Sequence, residues 1–275
     1  MLTDYHLHLR PDDLAATAAD YFTPANAERY REVAADRGIA ELGVSEHIHR
    51  FTQALEVWDH PFWRRQAVDD VYAYGEFVRT QTDLRLGLEV DYVPGREDQT
   101  ANLIDRLDLD YVVGSVHFLG DHAVDDDEYG IWASGRSPRE IWRRYFQTLG
   151  EAARSGLFDI LAHPDLVKVW GGARPVPEGD PRRFYELALD GIADSGVAVE
   201  VSTAGLRKPA AELYPAPAFL EMCLDAGASV ALSSDAHVPG DVGRDYEAAL
   251  ELLESVGVDQ LSVFDRRARR LEPIG

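Results

Sequence analysis

The chain has 275 residues, with 49 Asp or Glu against 27 Lys or Arg, a formal net charge of −22. Such an acidic surface repels phosphate backbones, which argues against nucleic acid as a partner and means that an anionic small substrate needs a local source of positive charge. Two of the cationic residues are lysines, Lys168 and Lys208, and their scarcity weakens any chemistry that needs a Schiff-base or carbamylated lysine. At 45% hydrophobic and 10% aromatic, the chain can bury a substantial core, which excludes intrinsic disorder. The single Cys223 excludes an intramolecular disulfide and a cysteine-based zinc site. No basic-then-apolar leader follows Met1, and no apolar run reaches the roughly 20 residues that span a bilayer. The expectation is a soluble, cytoplasmic globular protein with no membrane partner.

Short apolar runs predict strands at Thr3–His8, Glu41–Ser45, Leu84–Val90, Tyr111–Val116, Asp159–Ala162, Ala198–Val201 and Ser229–Ser233. Between them lie helices with legible ends. Thr23-Pro24 reads as an N-cap with proline in the first turn, and Gly38 closes that helix. Ser137-Pro138-Arg139-Glu140 fits a capping box opening a helix that runs to about Ser155. Further helices are expected near 62–81, 97–107, 181–194, 216–226 and 244–255. Strand followed by helix, seven times over, predicts a parallel sheet with helical crossovers, either closed as a barrel or open. With no internal repeat and no dividing linker, residues 1–275 read as one domain.

Ionisable residues fall at the C-terminal ends of these strands. His6 and His8 end the first, Glu46-His47 the second, Glu89 and Asp91 the third, and His117 the fourth. His163 follows the fifth, Glu200 and Ser202 mark the sixth, and Asp235 and His237 follow the seventh. In a parallel barrel all these ends lie on one face, where barrel active sites are built. A solitary histidine near a strand end is ordinarily a hydrogen-bonded structural residue, but seven coincident placements point to a joint site. Imidazoles and carboxylates without a thiolate suit zinc, manganese or iron. The candidates exceed the needs of one ion, and Glu89 is suited to bridge two. Paired ions activate water and neutralise an oxyanion, as phosphoester hydrolysis requires.

The motifs His6-Leu7-His8, Glu46-His47, Glu89, His117, His163-Pro164 and Asp235-Ala236-His237 resemble those of the polymerase-and-histidinol-phosphatase (PHP) superfamily. The segments Gly87–Tyr92, Gly114–Phe118 and Ser134–Ser137 are similar to its histidinol-phosphatase branch. The resemblance implies a distorted seven-stranded (β/α)7 barrel and a phosphoric monoester hydrolase of histidine biosynthesis holding two or three divalent ions. By motif, His6, His8, Glu89 and Asp235 would bind the first ion. His47 and His237 would bind the second, and Glu89, His117 and His163 the third. The family usually has a further His or Asp six residues after the second histidine; here that position is Leu14, and Asp13 is expected to serve, with Asp12 as the alternative. Asp235, His237 and His163 are the expected catalytic residues, supporting a metal-activated hydroxide that attacks phosphorus. Arg136, Lys168 and Arg207 are the candidates for gripping a small phosphorylated substrate, and Glu46 and Asp165 for orienting histidines. The aromatic group Trp58, Phe62 and Trp63 is expected in the core. Other readings are a phosphoesterase for another small phosphate or nucleotide, and a non-catalytic metal-binding module. An amidohydrolase is disfavoured because His117 stands where that class generally places a lysine.

Overall fold

A computed structural model describes all residues, 1–275. The elements run β1 (Leu2–Asp4), α1 (Ala18–Tyr21), α2 (Pro24–Asp36), β2 (Ile39–His47), α3 (Pro61–Gln66), α4 (Val71–Gln81), β3 (Arg85–Asp91), α5 (Glu97–Ile104) and β4 (Tyr111–Ser115). They continue with α6 (Pro138–Arg154), β5 (Ile160–Leu161), α7 (Arg182–Ser195), β6 (Ala198–Ser202), α8 (Pro217–Asp225), β7 (Ser229–Ser233), α9 (Tyr246–Ser255), β8 (Gln260–Asp265) and β9 (Ala268–Pro273). Strands β1 to β7 pair in parallel, each with its sequence neighbour. The ring closes beyond β1, where Leu7 bridges Ala236 and His8 N donates to Ala236 O at 2.8 Å. The result is a nearly closed, distorted seven-stranded barrel with the helices outside.

The two-residue period of a strand sorts side chains between the barrel interior and the helical layer. On β4 the inward series is Tyr111, Val113 and Ser115, continuing to His117. On β6 it is Ala198, Glu200 and Ser202, and on β7 it is Ala231 and Ser233, continuing to Asp235. The first members pack together with Tyr5 and Ile160 as an apolar floor. The last members are polar and face the opposite end. Gly43 and Gly87 make room for the Tyr111 side chain: a Cβ at Gly43 would lie 2.4 Å from its hydroxyl and one at Gly87 2.2 Å from its ring.

Several expected boundaries move, each for a local reason. β1 ends at Asp4, since the chain leaves the regular ladder to turn both His6 and His8 into the barrel. The helix expected near 62–81 is two helices. Between them Val68 N and Asp69 N donate to Arg50 O, at 3.1 and 3.0 Å, and Asp70 caps α4 by accepting from Tyr72 N and Ala73 N. The expected caps form, with Thr23 accepting from Asn26 N at 3.2 Å and Ser137 from Glu140 N at 3.3 Å.

The antiparallel pair β8–β9 has no counterpart in the sequence reading. Its turn, Arg266-Arg267, holds both residues at positive φ (47° and 63°) without the Asn or Gly that usually signals such a hairpin. It seals the N-terminal end of the barrel: Val263 and Phe264 join the apolar floor, Phe264 edges against Tyr5 at 5.8 Å, and Arg267 pairs with Asp159 at 2.9 Å. Phe264→Ala is expected to cost about 3–5 kcal/mol, the usual penalty for emptying a buried aromatic site. Thermal or urea unfolding checks this, with a loss below about 1 kcal/mol contradicting the sealing role.

Candidate metal centre

The polar end of the barrel gathers around one carboxylate. Glu89, on β3 and 1% exposed, presents Oε2 to His6 Nε2 at 3.3 Å and to His8 Nε2 at 3.5 Å. Its Oε1 faces His163 Nε2 at 3.2 Å and His117 Nε2 at 3.4 Å, and His47 Nδ1 also contacts the carboxylate. Asp235 Oδ1 approaches His6 Nε2 at 3.6 Å and His8 Nε2 at 3.5 Å. Thus eight of the nine expected metal residues, all but Asp13, converge. Three groups have ligand atoms close enough to share an ion: His6, His8 and Asp235; His6, Glu89 and His163; and His8, His47 and His237.

These atoms fit a cation. His6 Nε2, His8 Nε2, Glu89 Oε2 and Asp235 Oδ1 are all buried and make no hydrogen bond. Buried polar atoms left unpaired together are costly. Four that point at one another, from imidazoles and carboxylates, form the donor set of a divalent metal. His163 and Asp235, at φ 24° and 49°, also hold left-handed backbone conformations, a strain that recurs at functional positions.

The partners that aim these rings differ from the expected ones. Glu200 Oε1 bonds His6 Nδ1 at 2.8 Å, while its Oε2 accepts from His163 N at 2.6 Å. Asp91 Oδ1 bonds His117 Nδ1 at 2.7 Å. Each fixes one ring nitrogen and leaves the other directed at the cluster. Glu46 instead accepts from Leu9 N and Arg10 N, at 2.7 and 3.2 Å, and pairs with Arg50, so it anchors the loop carrying His8. Asp165 accepts from Ala216 N and pairs with Lys168, both at 2.8 Å. Asp91 and Glu200 share the inward face with Glu89, and barrel closure brings them against the rings.

Burial works against charge here, but the contacts override it for several groups. For Glu89 the surrounding His47, His6 and His117 hold the carboxyl well below its ordinary value. Burial opposes protonation of His6, yet Glu200, Glu89 and Asp235 raise its pKa well above the usual imidazole range. Asp91 and Glu89 likewise lift His117 to about 10 despite burial. Burial dominates at His47, which falls to about 4.

Asp13 does not reach the cluster: its carboxylate turns back to accept from Ala15 N at 2.8 Å. Asp12 takes that place, with Oδ2 2.9 Å from His237 Nε2 and Oδ1 3.8 Å from His47 Nε2, held by Arg50 at 2.5 Å. The loop after β1 is drawn inward by Glu46 and Arg50, which moves the reaching position by one residue. Arg136 lies away from the cluster beside Glu140, at 3.6 Å. Lys168 is engaged by Asp165, Glu212 and Leu213 O, and Arg207 by Ser234 O next to Asp235. Lys208, which the sequence reading passed over, lines the cavity above the cluster. His49 is 7% exposed and stacks on His47 at 4.7 Å. Trp63 is fully buried as expected, whereas Phe62 lines the cavity.

Residues 21–204 match the PHP domain family. The chain belongs to the PHP family. Across 279 aligned residues, 99% of each chain, it is 33% identical to a probable histidinol-phosphatase of Deinococcus radiodurans. It is 28% identical to the histidinol-phosphatase of Bacillus subtilis, over 81% of this chain and 91% of that one. Among solved structures, the histidinol phosphate phosphatase of Lactococcus lactis, in complex with zinc, L-histidinol and phosphate, superposes with a TM-score of 0.70. That match covers 98% of each chain at 19% identity and shows a shared PHP fold. No helix of the chain is long and apolar enough to cross a membrane.

Two outcomes are expected. Asp12→Asn should weaken divalent-metal binding by about 10-fold or more, whereas Asp13→Asn should bind as the parent does; equilibrium dialysis against zinc with metal analysis compares them. Loading should also release protons, because His6 and His117 hold theirs at pH 7 in the metal-free chain and lose them when Nε2 coordinates. Metal affinity therefore rises with pH. Zinc titration in a weakly buffered indicator solution reads the release directly, and proton uptake would contradict the ligand roles.

Proposed function

We propose that this chain, as one domain over residues 1–275, is a cytoplasmic metal-dependent phosphatase that hydrolyses L-histidinol phosphate to L-histidinol and phosphate. The observation that carries the reading is the convergence of unpaired, buried His and carboxylate atoms around Glu89 at the mouth of the barrel. The similarity to histidinol-phosphatases over essentially the whole chain supports the choice of substrate.

His6, His8, Glu89 and Asp235 would hold one ion; His47, His237 and Asp12 a second; and Glu89, His117 and His163 a third, the ions being zinc, manganese or iron. Ions bound there supply Lewis acidity, lowering the pKa of water and neutralising charge on phosphoryl oxygens. The protein's own groups then do three things. Glu200 and Asp91 fix the imidazoles so that no reorganisation is needed during turnover. Asp235, with Oδ1 turned toward His6 and His8, keeps a second carboxyl oxygen that can orient an attacking water and accept its proton. Lys208, which forms no ion pair and borders the cavity beside His47 and His117, adds the fixed positive charge that an acidic chain needs to hold a phosphate. Arg207, bonded to the carbonyl next to Asp235, stiffens that strand end.

Phosphate release from purified, metal-loaded protein across a panel of small phosphomonoesters tests the proposal. Histidinol phosphate should be preferred by orders of magnitude, and His163→Ala or Asp235→Ala should abolish release while leaving the circular dichroism of the fold intact. Preference for a nucleotide would redirect the substrate assignment. Full metal content with no hydrolysis of any ester would instead indicate a binding module.

A further inference from the structure

Above the metal cluster the cavity divides into two lobes that share Asp12, His47, His117, Asp125 and Lys208. One lobe, about 280 Å³, continues over His163 and Asp235 against an aliphatic and indole wall of Leu166, Val169 and Trp170. The other, about 330 Å³, runs the opposite way over His49, Phe62, Phe118 and Asp126. With a phosphoryl group over the cluster, the alcohol portion of the ester has to occupy one of them.

The second lobe has a distinctive chemistry. Phe62 and Phe118 stand edge to face with ring centroids 5.6 Å apart and form an aromatic wall. At its inner end His49 lies against Phe62 at 5.1 Å, buried, with Nδ1 unpaired and 3.7 Å from Asp91 Oδ2. The charges around this lobe are mostly spent within the protein. Arg65 pairs with Glu128 at 2.7 Å, Asp126 Oδ1 accepts from Tyr129 N at 2.9 Å, and Asp127 pairs with Arg174. Asp125 alone in the 125–127 run forms no ion pair and no side-chain bond to another residue. Two charges without an ion-pair partner therefore border the shared part of the cavity, Lys208 and Asp125; burial raises the pKa of the Asp125 carboxyl, while the nearby His117 and His163 favour its ionised form.

A cation and a carboxylate at the junction of the lobes match an ester that carries a cationic nitrogen close to its phosphate. A negative carboxylate beside an aromatic wall favours a protonated amine or imidazolium, through charge pairing and through the ring faces. The same carboxylate disfavours an ester whose second end is anionic.

We propose that the Phe62–Phe118 lobe receives the alcohol portion of the substrate and that Asp125 selects alcohols carrying a cationic nitrogen. This rests on the phosphatase reading above and deepens it by assigning a specificity-determining residue.

The test compares Asp125→Asn and Asp125→Glu with the parent, each full-length and metal-loaded, on histidinol phosphate and on phenyl phosphate, whose alcohol portion carries no charge. Asp125→Asn should lose about tenfold or more in kcat/KM on histidinol phosphate relative to phenyl phosphate, chiefly through KM, while Asp125→Glu recovers part of the preference. Metal content, measured alongside, should match the parent. Equal losses on both esters would overturn the assignment and place Asp125 with the reacting centre. An unchanged ratio in an active variant would overturn it as well. Failure of the parent to hydrolyse either ester would instead defeat the phosphatase reading, so the two failures are distinguishable.

Discussion

A buried carboxylate sets the terms for the rest of the molecule. Glu89 sits 1% exposed at the end of β3, within reach of His6, His8, His47, His117 and His163. An isolated carboxylate would be neutralised at that depth. His47, His6, His117 and the bond from His163 keep it ionised, and the five imidazoles come from different strand ends or from the two alternate positions after β1. The barrel must therefore close with these strands in register for the charge to be tolerated at all. Closure through Leu7 and Ala236 is what brings His8 and Asp235 to the same side of the cluster.

The two ends of the barrel divide the work. The inner floor of Tyr5, Tyr111, Val113 and Phe264 is apolar and sealed by the C-terminal hairpin, so its packing carries stability. The outer end is almost entirely polar and buried, which in a folded chain is a liability unless something compensates it. Hydrogen bonds from Glu200 and Asp91 compensate the outer edges of the rings. The inner atoms remain unpaired, and that residual cost is what a divalent metal would relieve. The overall charge of −22 has the same logic. A phosphate would be repelled by the chain as a whole, so positive potential has to be local; a bound metal would supply it, and Lys208 borders the same cavity.

Much of this was legible in the linear sequence. Seven apolar runs alternating with helical segments gave the strand count, and the two-residue period put Glu89, His117 and Asp235 on the inward face. The capping residues Thr23 and Ser137 marked helix starts because capping depends only on neighbours in sequence. The hairpin β8–β9 escaped notice because Arg266 and Arg267 adopt positive φ without a residue type that announces it. The break between α3 and α4 was equally hidden, being imposed by the Arg50 carbonyl, which accepts from Val68 N and Asp69 N, and by Arg10, which donates to Asp69, both distant in sequence.

The sequence by itself determined which chemistry is available: the metal-competent side chains occur at strand ends, and strand periodicity is a local property that fixes which way they point. Only the tertiary structure decided how those side chains are served. Asp12 rather than Asp13 reaches His237 because Glu46 and Arg50 pull the first loop inward. Glu200 and Asp91 rather than Glu46 and Asp165 aim the imidazoles, and Lys208 rather than Arg136 borders the cavity. Each of these choices joins segments tens of residues apart, brought together by the closing of the barrel and not by any spacing along the chain.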